Sequence, residues 1–173
     1  MSRLQPYLPR LYRYAISLTR DEDAAKDLVQ QCALKALAAR SVPQDEPAYR
    51  AWLFVILRNA LIDDARRRKT AEALKAPVEE NAGQMEYWSG DERLINVLTV
   101  KLALEKLAPH DQEIIGLIDL AGLSYAEAAT VIGAPTGTVM SRISRARARL
   151  LALVEDTNVR SIDVGERRRN GKS

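Results

Sequence analysis

The chain has 173 residues, enough for one domain or two small ones, and 28% of them are charged, for a net charge of +3. No apolar run approaches the roughly 18 residues of a membrane span, and residues 1–20 carry Arg3, Arg10 and Arg13 with no signal-peptide core, so a cytoplasmic protein without membrane insertion is expected. One cysteine and one histidine exclude an internal disulfide, a cysteine-based zinc site and most nucleophilic triads; with no phosphate-cradling glycine motif, no cofactor is called for and a non-enzyme is expected.

Charge is divided along the chain. Residues 1–40 carry +3 and 41–69 carry +2, whereas 70–92 hold one base against six acids; 93–134 carry −2 and 135–173 carry +5. Basic lobes favour nucleic acid through counterion release, and an acidic connector between them is repelled by it.

Leu11, Tyr14, Ala15 and Leu18 mark a first amphipathic helix. Asp21 is placed to cap a second helix with the stripe Ala25, Leu28, Val29, Cys32 and Ala36, where Cys32 reads as packing, while Asp27, Gln30 and Gln31 share its polar face. Residues 40–48 contain two prolines among polar residues and read as a loop.

A third helix is expected over about 49–69 and has two sides to cover: Leu53, Phe54, Leu57 and Leu61 on one, Trp52, Val55, Ile56, Asn59 and Asp63 on the other. Either neighbours sandwich it, or the Trp52/Asn59/Asp63 side stays open to a ligand while Arg66, Arg67, Arg68 and Lys69 meet phosphate.

Residues 70–92 lack periodicity and read as a linker. Helical pattern returns over 93–107 and 111–121, where His110 after Pro109 suits a helix start. Ser124 and Glu127 then form a capping box, and Gly133 and Pro135 stop the helix that follows.

After that turn Thr136 is placed to cap a last helix with the core stripe Val139, Ile143, Ala146 and Leu150. Ser141, Ser144 and Ala148 oppose the stripe, with Arg142, Arg145 and Arg149 along one flank. Small outward residues let a helix seat in a groove while guanidiniums reach phosphates or guanine edges, so the pair reads as a DNA-binding helix-turn-helix. The basic residues near the end of the 155–173 tail add either DNA attraction or solubility. No strand alternation or repeat appears.

Four segments in order, 23–31, 49–68, 104–109 and 137–149, with the acidic linker between the second and third, together resemble bacterial RNA polymerase sigma factors of the extracytoplasmic-function group. The resemblance implies an all-α chain: a region 2-like helical domain over 1–69, a flexible acidic linker over 70–92, a region 4-like helix-turn-helix domain over 93–154, and a disordered tail. It implies two separable modules mounted on a larger transcription machine.

The same likeness assigns roles. Asp27, Gln30 and Gln31 are expected to contact core RNA polymerase. Gln44, Asp45, Trp52, Asn59, Arg66 and Arg67 are expected to open and read the minus-ten element of promoter DNA, and Thr136, Thr138, Ser141, Arg142, Arg145 and Arg149 to read the minus-thirty-five element. Met140 stands where many relatives carry lysine, and residues 108–112 lack arginines common after that proline. Control by a separate anti-sigma factor is expected. The rival readings are a sigma mimic that titrates an anti-sigma factor, and a stand-alone helix-turn-helix regulator.

Overall fold

The computed structural model describes the backbone of residues 3–73 and 92–169, and side chains over 3–70 and 97–156. Among them no strand occurs. A 3-10 turn, Gln5–Tyr7, leads into α1 (Leu8–Thr19), α2 (Glu22–Ala38) and α3 (Glu46–Ala73); then come α4 (Glu92–Lys106), α5 (Pro109–Ile115), a π-helical turn (Gly116–Leu120), α6 (Tyr125–Ile132) and α7 (Thr136–Arg169).

Local chemistry sets the boundaries. Arg20, in the left-handed region at φ 56°, ends α1, and the Asp21 carboxylate accepts from the Ala24 N–H at 2.9 Å to start α2. Helix α3 begins at Glu46, ahead of the expected start near Tyr49, because Asp45 caps it through the Ala48 N–H at 3.1 Å and Pro47 is tolerated in a first helical turn.

The Ser124/Glu127 capping box forms as expected, and Gly133 closes α6 at φ 73°. Thr136 does not cap α7; it is the first helical residue, and the Pro135 carbonyl accepts from the Thr138 and Val139 N–H groups instead. The α7 backbone also runs to Arg169, through the segment expected to fray.

In the first half, α1, α2 and α3 close over Leu11, Tyr14, Leu28, Cys32, Leu53, Phe54 and Leu57, with the Tyr14 and Phe54 rings 5.6 Å apart. In the second, α5, α6 and α7 bury Ile114, Leu117, Val139, Ile143 and Ala146. These belong to one continuous core, so the two modules expected to stand apart lie against each other. The reason is the Arg50/Arg58 flank of α3 and the outer face of α1, which the first half alone leaves uncovered.

The seam between the halves is polar at its edges and tight at its centre. Arg10 donates to the Ala121 and Gly122 carbonyls, Arg50 pairs with Glu127, and Arg58 Nε lies 2.7 Å from Glu113 Oε1. At Gly116, in the π-helical turn, an added Cβ would sit 3.0 Å from Ser17 Oγ and 3.1 Å from the Tyr14 ring. Burial, then the Glu113 carboxylate, pushes the Tyr14 phenol far up, which keeps it a donor toward Glu113.

Candidate nucleic-acid interface

Asp45, Trp52, Asn59 and Arg66 recur every seven residues, so they form one line along α3 that drifts by about 20° per heptad. At 1.5 Å per residue the line is about 31 Å long. Its residues are spread along the helix rather than gathered in a single pocket. Asn59, Arg66 and Arg67 are exposed, and Trp52 is half-buried with its ring 5.7 Å from that of Tyr49.

Of the two readings of α3, each describes one side. The Leu53/Phe54/Leu57 side is buried against α1 and α2, and Arg50 and Arg58 reach the second half. The Trp52/Asn59/Asp63 side stays open at its two polar positions. Gln44 is exposed, with its amide 3.1 Å from the Val42 carbonyl; Asp45 is committed through one oxygen to its cap.

On α7, Thr136, Ser141, Arg142 and Arg145 are exposed, Thr138 is half-buried, and Ser144 and Ala148 are exposed opposite the buried stripe. Arg145 Nε donates to the Ser141 carbonyl at 3.2 Å, and the Ser141 hydroxyl to that of Thr138 at 3.0 Å. Arg149 is otherwise engaged: its Nη1 donates to both oxygens of Asp111 at 2.9 and 2.8 Å, and the Asp111 side chain is 3% exposed. Through that one nitrogen it fastens α7 to α5, while the side chain stays 52% exposed. A cleft of about 300 Å³ lined by His110, Asp111, Arg142, Arg145 and Arg149 lies where the two helices cross.

Arg147, which the flank pattern passes over, forms a two-pronged pair with Asp119 in the π-helical turn, and those hydrogen bonds raise its pKa further.

Asp27, Gln30 and Gln31 are all exposed on α2. Leu34 and Leu37, 68% and 69% exposed, prolong that face by two more helical steps. Sequence reasoning missed them, although Leu34 follows Gln31 by three and Gln30 by four, and Leu37 follows Gln30 by seven. An exposed apolar end on a polar helix face suits a protein partner.

The family model for sigma-70 region 2 matches residues 4–71, and that for sigma-70 region 4 matches residues 98–150. The chain is 36% identical over 151 residues to the ECF RNA polymerase sigma factor EcfG of Rhodopseudomonas palustris, covering 85% of this chain and 80% of that protein. It is 34% identical over 147 residues to the ECF RNA polymerase sigma factor SigC of Mycobacterium tuberculosis, covering 84% and 77%.

Among solved structures it is similar to the sigma factor RpoE of Bartonella quintana in complex with the anti-sigma factor NepR, with a TM-score of 0.65, 36% identity and coverage of 88% of this chain and 94% of that one. It is also similar to CnrH in complex with the cytosolic domain of CnrY, at a TM-score of 0.63, 28% identity and coverage of 88% and 85%. With family models matching both halves and a 36% identical relative covered over 80% of its length, the chain belongs to the extracytoplasmic-function sigma factors of bacterial RNA polymerase.

Proposed function

We propose that the chain is a dissociable promoter-specificity subunit that works in the cytoplasm, has no catalysis of its own, and is held in check by an anti-sigma factor. The observation that carries this reading is a pair of tracks on separate halves of one chain: the α3 line leading to the exposed Arg66 and Arg67, and the α7 flank with the exposed Arg142 and Arg145. The α2 face from Asp27 to Leu37 docks on core polymerase. Gln44, Asn59, Arg66 and Arg67, with Trp52 beneath, take the minus-ten strand: a base removed from the duplex needs stacking and edge hydrogen bonds, and its backbone needs cations. Thr136, Thr138, Ser141, Arg142 and Arg145 read the upstream duplex, and Arg149 supports them through Asp111.

The closed arrangement cannot do both tasks at once. The two elements lie about 25 base pairs apart, or about 85 Å at 3.4 Å per base pair. Even α7, the longest element at 34 residues and about 51 Å, falls short of that span. The seam therefore opens when core polymerase binds. Solved relatives captured with anti-sigma partners support control of the same kind here.

Purified chain added to core polymerase should drive initiation at promoters selected from genomic DNA. Failure at every promoter tested, with polymerase binding intact, would contradict the proposal and favour a sigma mimic.

A further inference from the structure

The loop leading into α3 is held by a residue some forty positions away. Arg3 Nη1 donates to the Pro43 carbonyl at 2.8 Å, and Nη2 donates to the Gln44 carbonyl at 2.8 Å. The same guanidinium reaches Glu46 Oε2 through Nε at 3.0 Å and Nη2 at 2.7 Å, and its carbon stands 4.0 Å from the centre of the Tyr49 ring. Tyr7 donates its hydroxyl to the other Glu46 oxygen and packs edge-on to Tyr49 at 5.9 Å. Those hydrogen bonds, from Tyr7 and then Arg3, hold the Glu46 carboxyl below its ordinary range.

One planar fork thus ties two successive loop carbonyls and the first residue of α3 into a single unit, a task that needs the fixed donor geometry of arginine. The backbone around Gln44 is fixed while its side chain stays exposed. Neither candidate reader holds itself in place: Gln44 bonds only within the loop, and Asp45 bonds only to its own helix.

We propose that Arg3 is a positioning residue for promoter reading: without touching DNA, it sets the conformation in which Gln44 is offered to an unstacked base of the minus-ten element. Because Glu46 neutralises its charge, Arg3 adds little to phosphate attraction. This inference rests on the reading of the 41–59 segment as the minus-ten reader.

The test uses holoenzyme reconstituted from core polymerase and the full chain carrying Arg3→Ala, Arg3→Lys or Gln44→Ala, on templates randomised through the minus-ten element. Permanganate reactivity of the opened strand scores which sequences melt. Arg3→Ala should alter base preference at the position that Gln44→Ala alters, and lower open-complex formation about tenfold by misplacing the reader. Polymerase binding, dependence on the upstream element and the salt slope of duplex binding should stay within about twofold, because no phosphate contact is lost. Arg3→Lys should recover part of the loss, since lysine keeps the Glu46 pair but cannot bridge both carbonyls.

Preference is a ratio between templates, so partial unfolding of a variant does not change it. If Gln44→Ala shifts preference and Arg3→Ala does not, the positioning role is overturned and the minus-ten reading stands. If Gln44→Ala shifts nothing, that reading fails at this residue and the inference falls with it. A uniform loss across all templates with Arg3→Ala, accompanied by weaker polymerase binding, also overturns it.

Discussion

Arg50 on α3 and Glu127 on α6 form an ion pair across the seam between the two halves, with Arg50 Nε 2.6 Å from Glu127 Oε1 and the Glu127 side chain 5% exposed. The same carboxylate closes the α6 capping box through its other oxygen, 2.8 Å from the Ser124 N–H. One side chain therefore starts the helix-turn-helix and fastens it to the first domain.

Arg50→Ala leaves the capping box intact and strands a buried carboxylate against α3. Breaking a buried pair from one side costs about 3–5 kcal/mol, and the partial exposure of Arg50 places the effect at or below the lower end. The halves should separate in the free protein, raising the radius of gyration in small-angle scattering. Apparent affinity for core polymerase should rise, because less of the chain must be opened on binding. An unchanged radius together with unchanged affinity would show that the seam does not restrain the chain.

The arginines of α7 should divide by what they already touch. Arg142→Ala and Arg145→Ala should each lower use of an upstream-element promoter, by about 1–3 kcal/mol if the lost contact is to a base edge. Arg147→Ala should have a smaller effect, since its guanidinium is paired with Asp119. Arg149→Ala should instead lower thermal stability by leaving the buried Asp111 carboxylate with only the His110 ring, 3.4 Å away, at about 1–3 kcal/mol. Transcription assays beside melting curves separate the two classes; equal promoter losses at all four positions would contradict the division.

Cys32 supplies a pH signature. Burial pushes its thiol up to about 12, and its Sγ donates to the Leu53 carbonyl at 3.4 Å. Above the ordinary thiol range, near pH 9, the unfolded chain loses this proton while the folded chain keeps it, so fewer protons are bound in the unfolded state and stability falls as pH rises. The contribution is complete below about pH 9 and is lost by about pH 12. The stability of wild type relative to Cys32→Ala should therefore fall as pH rises above about 9, and iodoacetamide at pH 8 should label Cys32 only when the first domain unfolds. Fast labelling of the folded chain would contradict the burial.

Most of the helical plan was legible because its signals are local. Asp21, the Ser124/Glu127 box and Gly133 act within a few residues, and the Val139/Ile143/Ala146 stripe needs only helical periodicity. The helix starts at Glu46 and Thr136 were less legible, since Asp45 and Pro135 compete with neighbours that could equally serve. The closed seam was not legible at all. Arg50, Arg58, Glu113 and Glu127 are ordinary surface charges until folding brings residues 55 and 77 positions apart together. The Arg149–Asp111 pair was illegible for the same reason: the partner lies 38 residues away on another helix. The π-helical turn that brings Gly116 against Tyr14 and Ser17 has no pattern of its own in the sequence.

On the proposed function, two tracks on one chain engage two promoter elements together once the seam opens. The most direct measurement is run-off transcription by core polymerase with the purified chain, on one selected promoter and on versions with the minus-ten element, the minus-thirty-five element or the spacing between them altered. Initiation should require the chain, should fall with loss of either element, and should fail when the spacing changes by half a helical turn. Initiation that ignores the upstream element and the spacing, or none with any promoter, would contradict the account.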